Sequence, residues 1–400
     1  MDSRIPAPGS SRALVLTQLL HALWHTLLMM QQVERRRGRL SQEQLLANQI
    51  VLRSTRLIGK TLGFVIVVFV LVILALALTH RTPPFTMALG IGGNGATAKA
   101  PPHLTLMTWN LGYAGLGKES DFFMDGGKGV LAKDSATVVE HLRRIKQVLE
   151  EEPKNIYLFQ GVDFASRRSY YINEVQSITD EARSFYQSFA LNYDVLFVPY
   201  PFTNPTGRVH SGILSLSKDK PTEATRLQLP GFMFWPVSAF VLDRCMLVWR
   251  MEREDGKQWV IVNLHLSSYD PGGKLREQQF IFVKDFAEHE YKKGNYVILG
   301  GDWNNILPGI GPDQFVSEDK KPGIDMLLAD EFTPRGWHWG VPSDPTNRID
   351  NTPYQPGKNY VTVIDGFLVS PNVHIQSVAT VALGFRDSDH NPVVVEVVAP

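Results

Sequence analysis

The feature that most constrains this chain is an apolar run from Leu62 to Leu78, which carries no polar side chain. With Thr61 and Thr79 it extends to 19 residues, and at about 1.5 Å per residue such a helix covers roughly the 30 Å hydrocarbon core of a bilayer. A helix of a soluble core seldom runs this long without a polar face, and a cleaved signal peptide would lie closer to the N-terminus. The run therefore predicts one transmembrane helix over residues 62–79.

Charged residues on either side of the run predict its orientation. Nine Lys and Arg residues precede it, whereas two, Arg81 and Lys99, follow it before the next apolar segments begin. Basic residues tend to remain on the cytoplasmic side of a membrane. We therefore expect residues 1–61 to form a cytoplasmic tail and the chain from residue 80 onward to lie on the non-cytoplasmic side.

Two further segments surround this span. Residues 13–33 are rich in leucine but also contain His and Gln, which favours an interfacial amphipathic helix or a partner-binding helix over a second membrane span. Residues 80–103 contain two Pro-Pro pairs and a cluster of glycines between residues 90 and 95, a composition typical of a linker. The folded domain is predicted to occupy residues 104–400.

Residues 104–400 show the pattern of a mixed α/β domain. Strand-like apolar segments occur at Leu104–Asn110, Ile156–Gln160, Asp194–Pro199, Gly212–Ser217, Phe240–Trp249, Trp259–His265, Tyr296–Gly301, Val361–Val369 and Pro392–Val398. Helical periodicity occurs at Ala136–Glu151 and Leu275–Lys292, where apolar positions lie three and four residues apart. Many strands with few helices predict two packed sheets covered by helices, and an apolar fraction of 44% is enough for such a core.

Composition excludes several kinds of site. The single cysteine, Cys245, lies in an apolar segment, so no intramolecular disulfide, cysteine-based zinc site or redox pair can form. Residues 1–103 hold 11 basic and 3 acidic residues, a balance of +8, whereas residues 104–400 hold 29 and 37, a balance of −8. An acidic domain repels polyanions, which makes nucleic acid a less favoured partner than a lipid or a small molecule.

Six short polar motifs adjoin the apolar strands, where loops place side chains on a rigid scaffold. In chain order they are Thr108-Trp109-Asn110, Gln160-Gly161-Val162-Asp163, Asn263-Leu264-His265, Gly301-Asp302-Trp303-Asn304, Ile364-Asp365-Gly366-Phe367 and Ser388-Asp389-His390-Asn391-Pro392. Singly each motif is weak, since an Asn after a strand is usually a turn or cap residue. Their order and spacing carry the signal.

This series resembles the endonuclease/exonuclease/phosphatase superfamily, which includes deoxyribonuclease I-like nucleases, abasic-site endonucleases, neutral sphingomyelinases and inositol-phosphate phosphatases. The resemblance covers residues 104–398 and rests on the GDWN and SDHNP motifs occurring together in the family's order. It implies a four-layer α/β sandwich, in which two packed mixed β-sheets are flanked by helices. It also implies a metal-dependent phosphoric ester hydrolase that uses Mg²⁺, with Mn²⁺ as an alternative ion.

The resemblance gives each catalytic residue a role. His390 and Asp365 would form a dyad, in which the carboxylate orients the imidazole so that the ring acts as a base or as a donor to the phosphate. Asp302 would hold or deprotonate the attacking water, or bind a second metal. His265 and Asn304 would donate hydrogen bonds to the phosphate oxygens.

The same resemblance makes Asn110 and Asp389 oxygen ligands of Mg²⁺. The family's principal metal ligand is a Glu directly after Gln160, and here that position is Gly161. In an extended strand Asp163 would point to the same side but lie roughly 6–7 Å further along, so only a bulge or a shifted metal would let it substitute. An ordinary strand conformation at Gly161 would allow Gly161→Glu to restore the ligand.

Three other segments leave two interpretations open. Arg167–Tyr171 would either contact a phosphate or begin a solvated helix, and Arg244 would either reach the pocket or belong to a structural Asp243-Arg244 environment. Pro230–Pro236 contains three aromatic side chains and is predicted as core packing, ahead of an aromatic loop that enters lipid.

The sequence therefore predicts a membrane-anchored, Mg²⁺-dependent phosphodiesterase or phosphatase that acts on a phospholipid head group or another small phosphoester, with activity weakened by Gly161. An anchored nuclease of the same fold is the alternative within the enzyme class, and it would need a basic surface around His265 and His390. The alternative outside that class is a catalytically silent protein that binds phosphoesters or a protein partner. Whether another oxygen ligand occupies the space left by Gly161 distinguishes the enzyme from the binding protein.

Overall fold

The computed structural model describes residues 42–79, 83–96, 99–231, 235, 237–319, 327–328 and 330–400. The leucine-rich segment 13–33 and most of Pro230–Pro236 lie outside these residues, so the predictions made for them remain predictions.

Helix α1 (Gln42–Thr79) contains the predicted membrane span and begins before it. Within α1, Leu46–Ala75 is long and apolar enough to cross a membrane, with a mean hydropathy of 2.8. None of the residues in its most apolar 18-residue stretch is buried. Large side chains such as Leu57 and Phe64 are exposed. Among the described residues this is the one helix with these properties, which makes it a candidate membrane anchor.

The other elements form one α/β domain with two mixed seven-stranded sheets and a two-stranded ladder. The first sheet contains, in spatial order, β1 (Thr86–Ala88), β7 (Glu223–Gln228), β8 (Cys245–Glu252), β9 (Gln258–His265), β10 (Tyr296–Asp302), β14 (Asp365–Val369) and β11 (His338–Gly340). The second contains β15 (His374–Thr380), β16 (Val393–Val398), β3 (His103–Asn110), β4 (Ile156–Asp163), β6 (Gly207–Ser217), β5 (Tyr186–Val198) and β2 (Gly92–Gly93). The ladder joins β12 (Asn347–Arg348) to β13 (Val361–Thr362).

Alternate side chains of each central strand point to opposite faces of its sheet and pack in two different hydrophobic cores. In β3, Leu104 and Leu106 pack between the two sheets, whereas Met107 and Trp109 pack against helices on the outer face. Helices α2 (Ser135–Glu151) and α3 (Glu174–Glu181) contribute to that outer core of the second sheet, and α4 (Lys274–Lys292) contributes to the outer core of the first. The predicted four-layer α/β sandwich is confirmed.

Strand direction places the polar motifs at one edge of both sheets. Strand β3 runs parallel to β4, and β9 runs parallel to β10, so the carboxyl ends of each pair meet. Strands β14 and β16 run antiparallel to β10 and β3 and therefore begin at that edge. Behind it, Gln160 Nε2 donates to Asn263 Oδ1 at 2.8 Å and links the sheets, so these two polar residues have a structural role.

The predicted linker 80–103 is wrong over part of its length. Strand β1 pairs with β7 and β2 pairs with β5, which adds an edge strand to each sheet. These strands are three and two residues long, and edge strands this short need no alternating apolar pattern. The glycine content of residues 80–103 is therefore typical of a flexible linker, although two short stretches of this segment pair with the sheets.

The strand predicted at Val361–Val369 is two strands, β13 and β14. The hydroxyl of Thr346 accepts hydrogen bonds from the backbone N–H groups of Ile364 and Asp365, both at 3.1 Å, at the turn between them. That turn aims Asp365 at the motif edge of the sheets.

Candidate active site

The carboxylate of Asp302, the last residue of β10, lies at the centre of the motif edge and is buried. Its Oδ2 accepts a hydrogen bond from Asn110 Nδ2 at 2.9 Å. The same oxygen lies 3.3 Å from Nε2 of His265 and 3.8 Å from Nε2 of His390. Its Oδ1 accepts from the backbone N–H of Asn304 at 2.9 Å. One carboxylate therefore gathers four of the residues that the motifs singled out.

His390 and Asp365 form a buried dyad. Nδ1 of His390 lies 2.8 Å from Oδ2 of Asp365. The backbone of His390 is fixed as well, because its carbonyl accepts from Trp109 Nε1 at 2.9 Å and its N–H donates to Ser388 Oγ at 3.1 Å. The ring is thus held by its side chain and its backbone, which leaves Nε2 facing the centre of the site.

Charge around the dyad sets its protonation. Burial by itself would lower the pKa of His390, but the carboxylates of Asp365, Asp389 and Asp302 outweigh it and raise that pKa to about 10. Burial raises the pKa of Asp365 to about 6, against the opposing effect of His390. These carboxylates favour the doubly protonated ring, and in that form its Nε2–H is a donor for a phosphate oxygen or a leaving oxygen.

His265 is electrostatically different from His390. Burial lowers its pKa well below the usual range, and the positive charges of Arg244, His390 and Arg168 lower it further. Its Nδ1 is buried and has no hydrogen-bond partner among the described residues. A neutral ring with one free nitrogen can exchange a hydrogen bond with a ligand but does not contribute charge.

Asn304 adopts a left-handed backbone conformation, with φ +50°, directly after the Asp302 strand. One hydrogen of its side-chain amide donates to the carbonyl of Leu266 at 2.9 Å. The other amide hydrogen is the donor that the predicted role requires.

Two of the predicted metal ligands flank Gly112. Oδ1 of Asn110 accepts from Gly112 N at 3.0 Å, and a Cβ built on Gly112 would lie 2.8 Å from Oδ1 of Asp389. Burial raises the pKa of Asp389. Amide and carboxylate oxygens are ligand types that a hard cation accepts, and the assignment of Asn110 and Asp389 to a metal stays a prediction. Separately, Asp302, Asp365 and His390 offer ligand atoms within 4.8 Å of one another and could also hold a metal ion.

Gly161 does not have the ordinary strand conformation in which a glutamate would be tolerated. Its φ is +62°, and the pairing of β4 with β6 shifts register between Phe159 and Val162, which marks a bulge. A Cβ at residue 161 would lie 2.5 Å from Oδ1 of Asn110. Gly161→Glu would therefore strain the backbone and displace a proposed ligand, so that substitution no longer tests metal binding.

Asp163 does not serve as a metal ligand in place of the missing glutamate, although strand β4 has the bulge that this role would require. Its carboxylate accepts hydrogen bonds from Arg168 Nε at 3.1 Å and Nη2 at 2.8 Å. It also accepts from Ser169 Oγ at 2.8 Å. Of the two interpretations of Arg167–Tyr171, the solvated helix is wrong: Arg167–Ser169 is a 3-10 turn, and Arg168 makes a buried ion pair.

Sequence reasoning missed Tyr113 and Asn347. Tyr113 is buried with φ +46°, and its hydroxyl has no hydrogen-bond partner among the described residues. The Nδ2 atom of Asn347 lies 3.0 Å from Nε2 of His390. Neither residue belongs to one of the six motifs; the position of Tyr113 three residues after Asn110 was the one available signal.

No protein-family model matches the chain, and no curated protein matches it. Among solved structures it is similar to an endonuclease/exonuclease/phosphatase from Beutenbergia cavernae DSM 12333, with 15% identity over 75% of this chain and 72% of that chain and a TM-score of 0.51. An endonuclease/exonuclease/phosphatase from Bacteroides vulgatus (14% identity, 74% and 99% covered, TM-score 0.47) and TDP2 from Caenorhabditis elegans (16%, 74% and 74%, 0.44) are more distant in shape. The first likeness shows the fold, and the predicted resemblance is confirmed at that level.

Proposed function

We propose that this chain, whose α/β domain has the endonuclease/exonuclease/phosphatase fold, is a membrane-anchored, metal-dependent phosphodiesterase or phosphatase. The observation that carries the proposal is the convergence on Asp302 of the His390–Asp365 dyad, His265 and Asn110. An acid, a charged acceptor for water and neutral donors within one buried site are the parts that phosphoester hydrolysis needs.

In the proposed reaction Asp302 holds the attacking water and accepts its proton as the new P–O bond forms. His265 and the free amide hydrogen of Asn304 donate to the non-bridging oxygens, where negative charge increases in the transition state. His390, oriented by Asp365, donates its Nε2 proton to the leaving oxygen as the ester bond breaks. The products are an alcohol and a phosphate or phosphomonoester.

Mg²⁺, or Mn²⁺ in its place, is assigned to Asn110 and Asp389, and when bound it supplies positive charge to the phosphate. Gly161 leaves Asp389 as the one carboxylate of this ligand pair. Fewer anionic ligands mean weaker binding of a strongly hydrated cation, so the proposal includes weakened activity at low metal concentrations.

A phospholipid head group is the proposed substrate class, with other small phosphoesters as the broader class. Besides α1, the support is an aromatic patch in which Tyr200 and Phe202 are exposed and Phe122 and Phe123 are half-buried, with successive rings 5.0, 5.9 and 6.0 Å apart. Phe202 is 84% exposed, an unusual position for a large apolar side chain in a soluble domain. Aromatic rings of this kind suit the interfacial region of a bilayer.

One hydrogen bond and two short stretches of chain link the patch to the candidate site. Asp125, two residues after Phe123, accepts a hydrogen bond from the hydroxyl of Tyr269 at 2.7 Å. Tyr269 follows His265 by four residues. A lipid surface at the patch would therefore lie close to the opening of the site.

The proposed orientation places the α/β domain on the non-cytoplasmic side, because basic residues precede α1's apolar segment and few follow it. Protease added outside intact cells or spheroplasts should digest the region 104–400 and spare the N-terminal tail. Protection of the domain in intact cells, with digestion of the N-terminal tail, would reverse the orientation.

A catalytically silent phosphoester-binding protein is the second candidate, and the left-handed conformation of Gly161 favours it. In that case the dyad and its neighbours would bind a phosphoester without turnover. The anchored nuclease receives less support, because the domain's balance of charge is −8 from 29 basic and 37 acidic residues in 104–400.

The proposal is tested by titrating Mg²⁺ and Mn²⁺ into hydrolysis assays of the full chain with sphingomyelin vesicles, phosphoinositide vesicles, a soluble phosphodiester and DNA. We expect metal-dependent release of a phosphorylated product from at least one lipid, and slower cleavage of DNA. Cleavage of DNA alone would favour the nuclease. Binding of phosphoesters, with no product from any substrate, would support the catalytically silent binding protein.

A further inference from the structure

Two arginines near the candidate site, the half-buried Arg168 and the buried Arg244, have no part in the proposed reaction. Met246 pairs with Leu264 across β8 and β9, which brings the start of β8, just after Arg244, beside the end of β9, where His265 lies. The N–H of Asp243 donates to the carbonyl of Asn192 at 2.8 Å, and the guanidinium carbon of Arg168 lies 6.0 Å from the centre of the adjacent Tyr193 ring, so both arginines border the same part of β5. Like charges are brought together in a protein interior only at an energetic cost. Something must offset that cost when the site is in use.

Arg168 is rigidly placed. Its Nε and Nη2 donate to both carboxylate oxygens of Asp163, and Nη2 also donates to Ser211 Oγ at 3.2 Å. Its guanidinium carbon lies 4.1 Å from the centre of the Tyr113 ring, a cation–π distance. Nη1 makes no hydrogen bond in the described structure. One corner of a fixed guanidinium is thus available to a ligand.

Arg244 immediately precedes β8 and is 7% exposed. Its Nη2 donates to Ser268 Oγ at 3.3 Å, and its Nη1 is buried with no partner among the described residues. No described carboxylate oxygen lies within 4.0 Å of its guanidinium. Burial lowers its pKa to about 10, so Arg244 still carries its charge at neutral pH. Arg244 makes no ion pair with Asp243 in the described structure, and whether it reaches a ligand stays a prediction.

Unpartnered polar atoms accumulate around this pair. Besides the free Nη1 atoms, the hydroxyl of Tyr113 and Nδ1 of His265 are buried without a partner among the described residues. Buried polar groups in native proteins are nearly all hydrogen-bonded. Three buried atoms without a partner among the described residues, on Arg244, Tyr113 and His265, together with the unbonded Nη1 of Arg168, therefore indicate a place for an anionic acceptor.

We propose that Arg168 and Arg244 form a fixed-cation subsite that binds a phosphoryl group without a divalent ion. A phosphoryl group offers several charged oxygens, and guanidinium N–H groups form strong, directional hydrogen bonds to them. The subsite would supply part of the positive charge that a chain with Gly161 cannot obtain from a fully liganded metal. That this phosphoryl group is the substrate's rests on the proposed function; that the pair binds phosphate does not.

The test is calorimetric titration of inorganic phosphate into the full chain in detergent and EDTA. We expect saturable binding by the parent protein and a loss of about 10- to 100-fold in affinity for Arg244→Met, the range for hydrogen bonds to charged groups. Because Arg168→Gln alone would leave Asp163 buried and unpaired, its role is measured in the double variant Asp163→Asn/Arg168→Gln. Arg143→Gln, which removes one exposed positive charge from α2, is the matched control and should bind as the parent does.

Melting temperatures provide a second readout. Phosphate should raise the melting temperature of the parent protein and leave that of Arg244→Met unchanged. Without phosphate, Arg244→Met should melt no lower than the parent, because it removes a buried charge that has no ion pair. A parent protein that binds no phosphate in EDTA, or an Arg244→Met protein that binds it equally well, overturns the proposal. Turnover is not measured, so failure to hydrolyse any substrate does not affect the result.

Discussion

Replacing His390 by alanine is expected to lower phosphoester turnover by about 10²–10⁴-fold, the usual contribution of a positioned general acid or base. The variant loses the proton that Nε2 gives to the leaving oxygen, and it leaves Asp365 without its 2.8 Å partner. The effect should appear in the turnover number more than in the Michaelis constant, because the proton is transferred in the transition state.

The control for this variant is His374→Ala, which removes an exposed histidine from the start of β15. It should retain the parental rate. His390→Ala must also keep a cooperative melting transition, since its ring is buried and its removal leaves a cavity. Near-parental turnover in a folded His390→Ala protein would mean that hydrolysis takes place at another site.

Asp302→Asn is expected to reduce turnover by about 10²-fold or more, because it removes the charge that holds and deprotonates the attacking water. The substitution conserves shape. It also places an amide where one carboxylate oxygen now accepts from Asn110 Nδ2 at 2.9 Å, so Asn110 loses its charged acceptor. The measurement is the turnover number at saturating metal and substrate.

Asp285→Asn, an exposed substitution on α4, is the matched control for Asp302→Asn and should leave turnover unchanged. Comparable melting temperatures for both variants would exclude unfolding as the cause of a loss. A folded Asp302→Asn protein with parental turnover would contradict the role given to this carboxylate.

Much of the fold was predictable because its central strands are apolar on both faces. Strands such as β9 and β10 are buried on either side, and their sequences are continuous apolar runs that end in a polar motif. The motifs then indicated the edge where Asn110, His265 and Asp302 meet. Strands β7 and β15 were not predicted, since their polar and half-exposed residues weaken the pattern.

Other features depend on contacts between distant residues or on backbone angles. The φ of +62° at Gly161 reflects the bulge against β6 and the contact with Asn110, neither of which is local in sequence. Engagement of Asp163 by Arg168 depends on the 3-10 turn Arg167–Ser169, which contains Arg168. The sequence marked both positions as polar or unusual, but only the folded chain shows which carboxylate remains available to a ligand.

The central claim, that the site around Asp302 and His390 adds water to the phosphorus of an ester, is tested most directly by hydrolysis in ¹⁸O-labelled water. The full chain, in lipid vesicles with saturating Mg²⁺, is compared with His390→Ala, and the products are followed by ³¹P NMR. The account predicts a phosphorylated head group that carries one ¹⁸O on phosphorus, formed by the parent protein and nearly absent with His390→Ala. Label in the alcohol product in place of the phosphate, or equal product from both proteins, would contradict it.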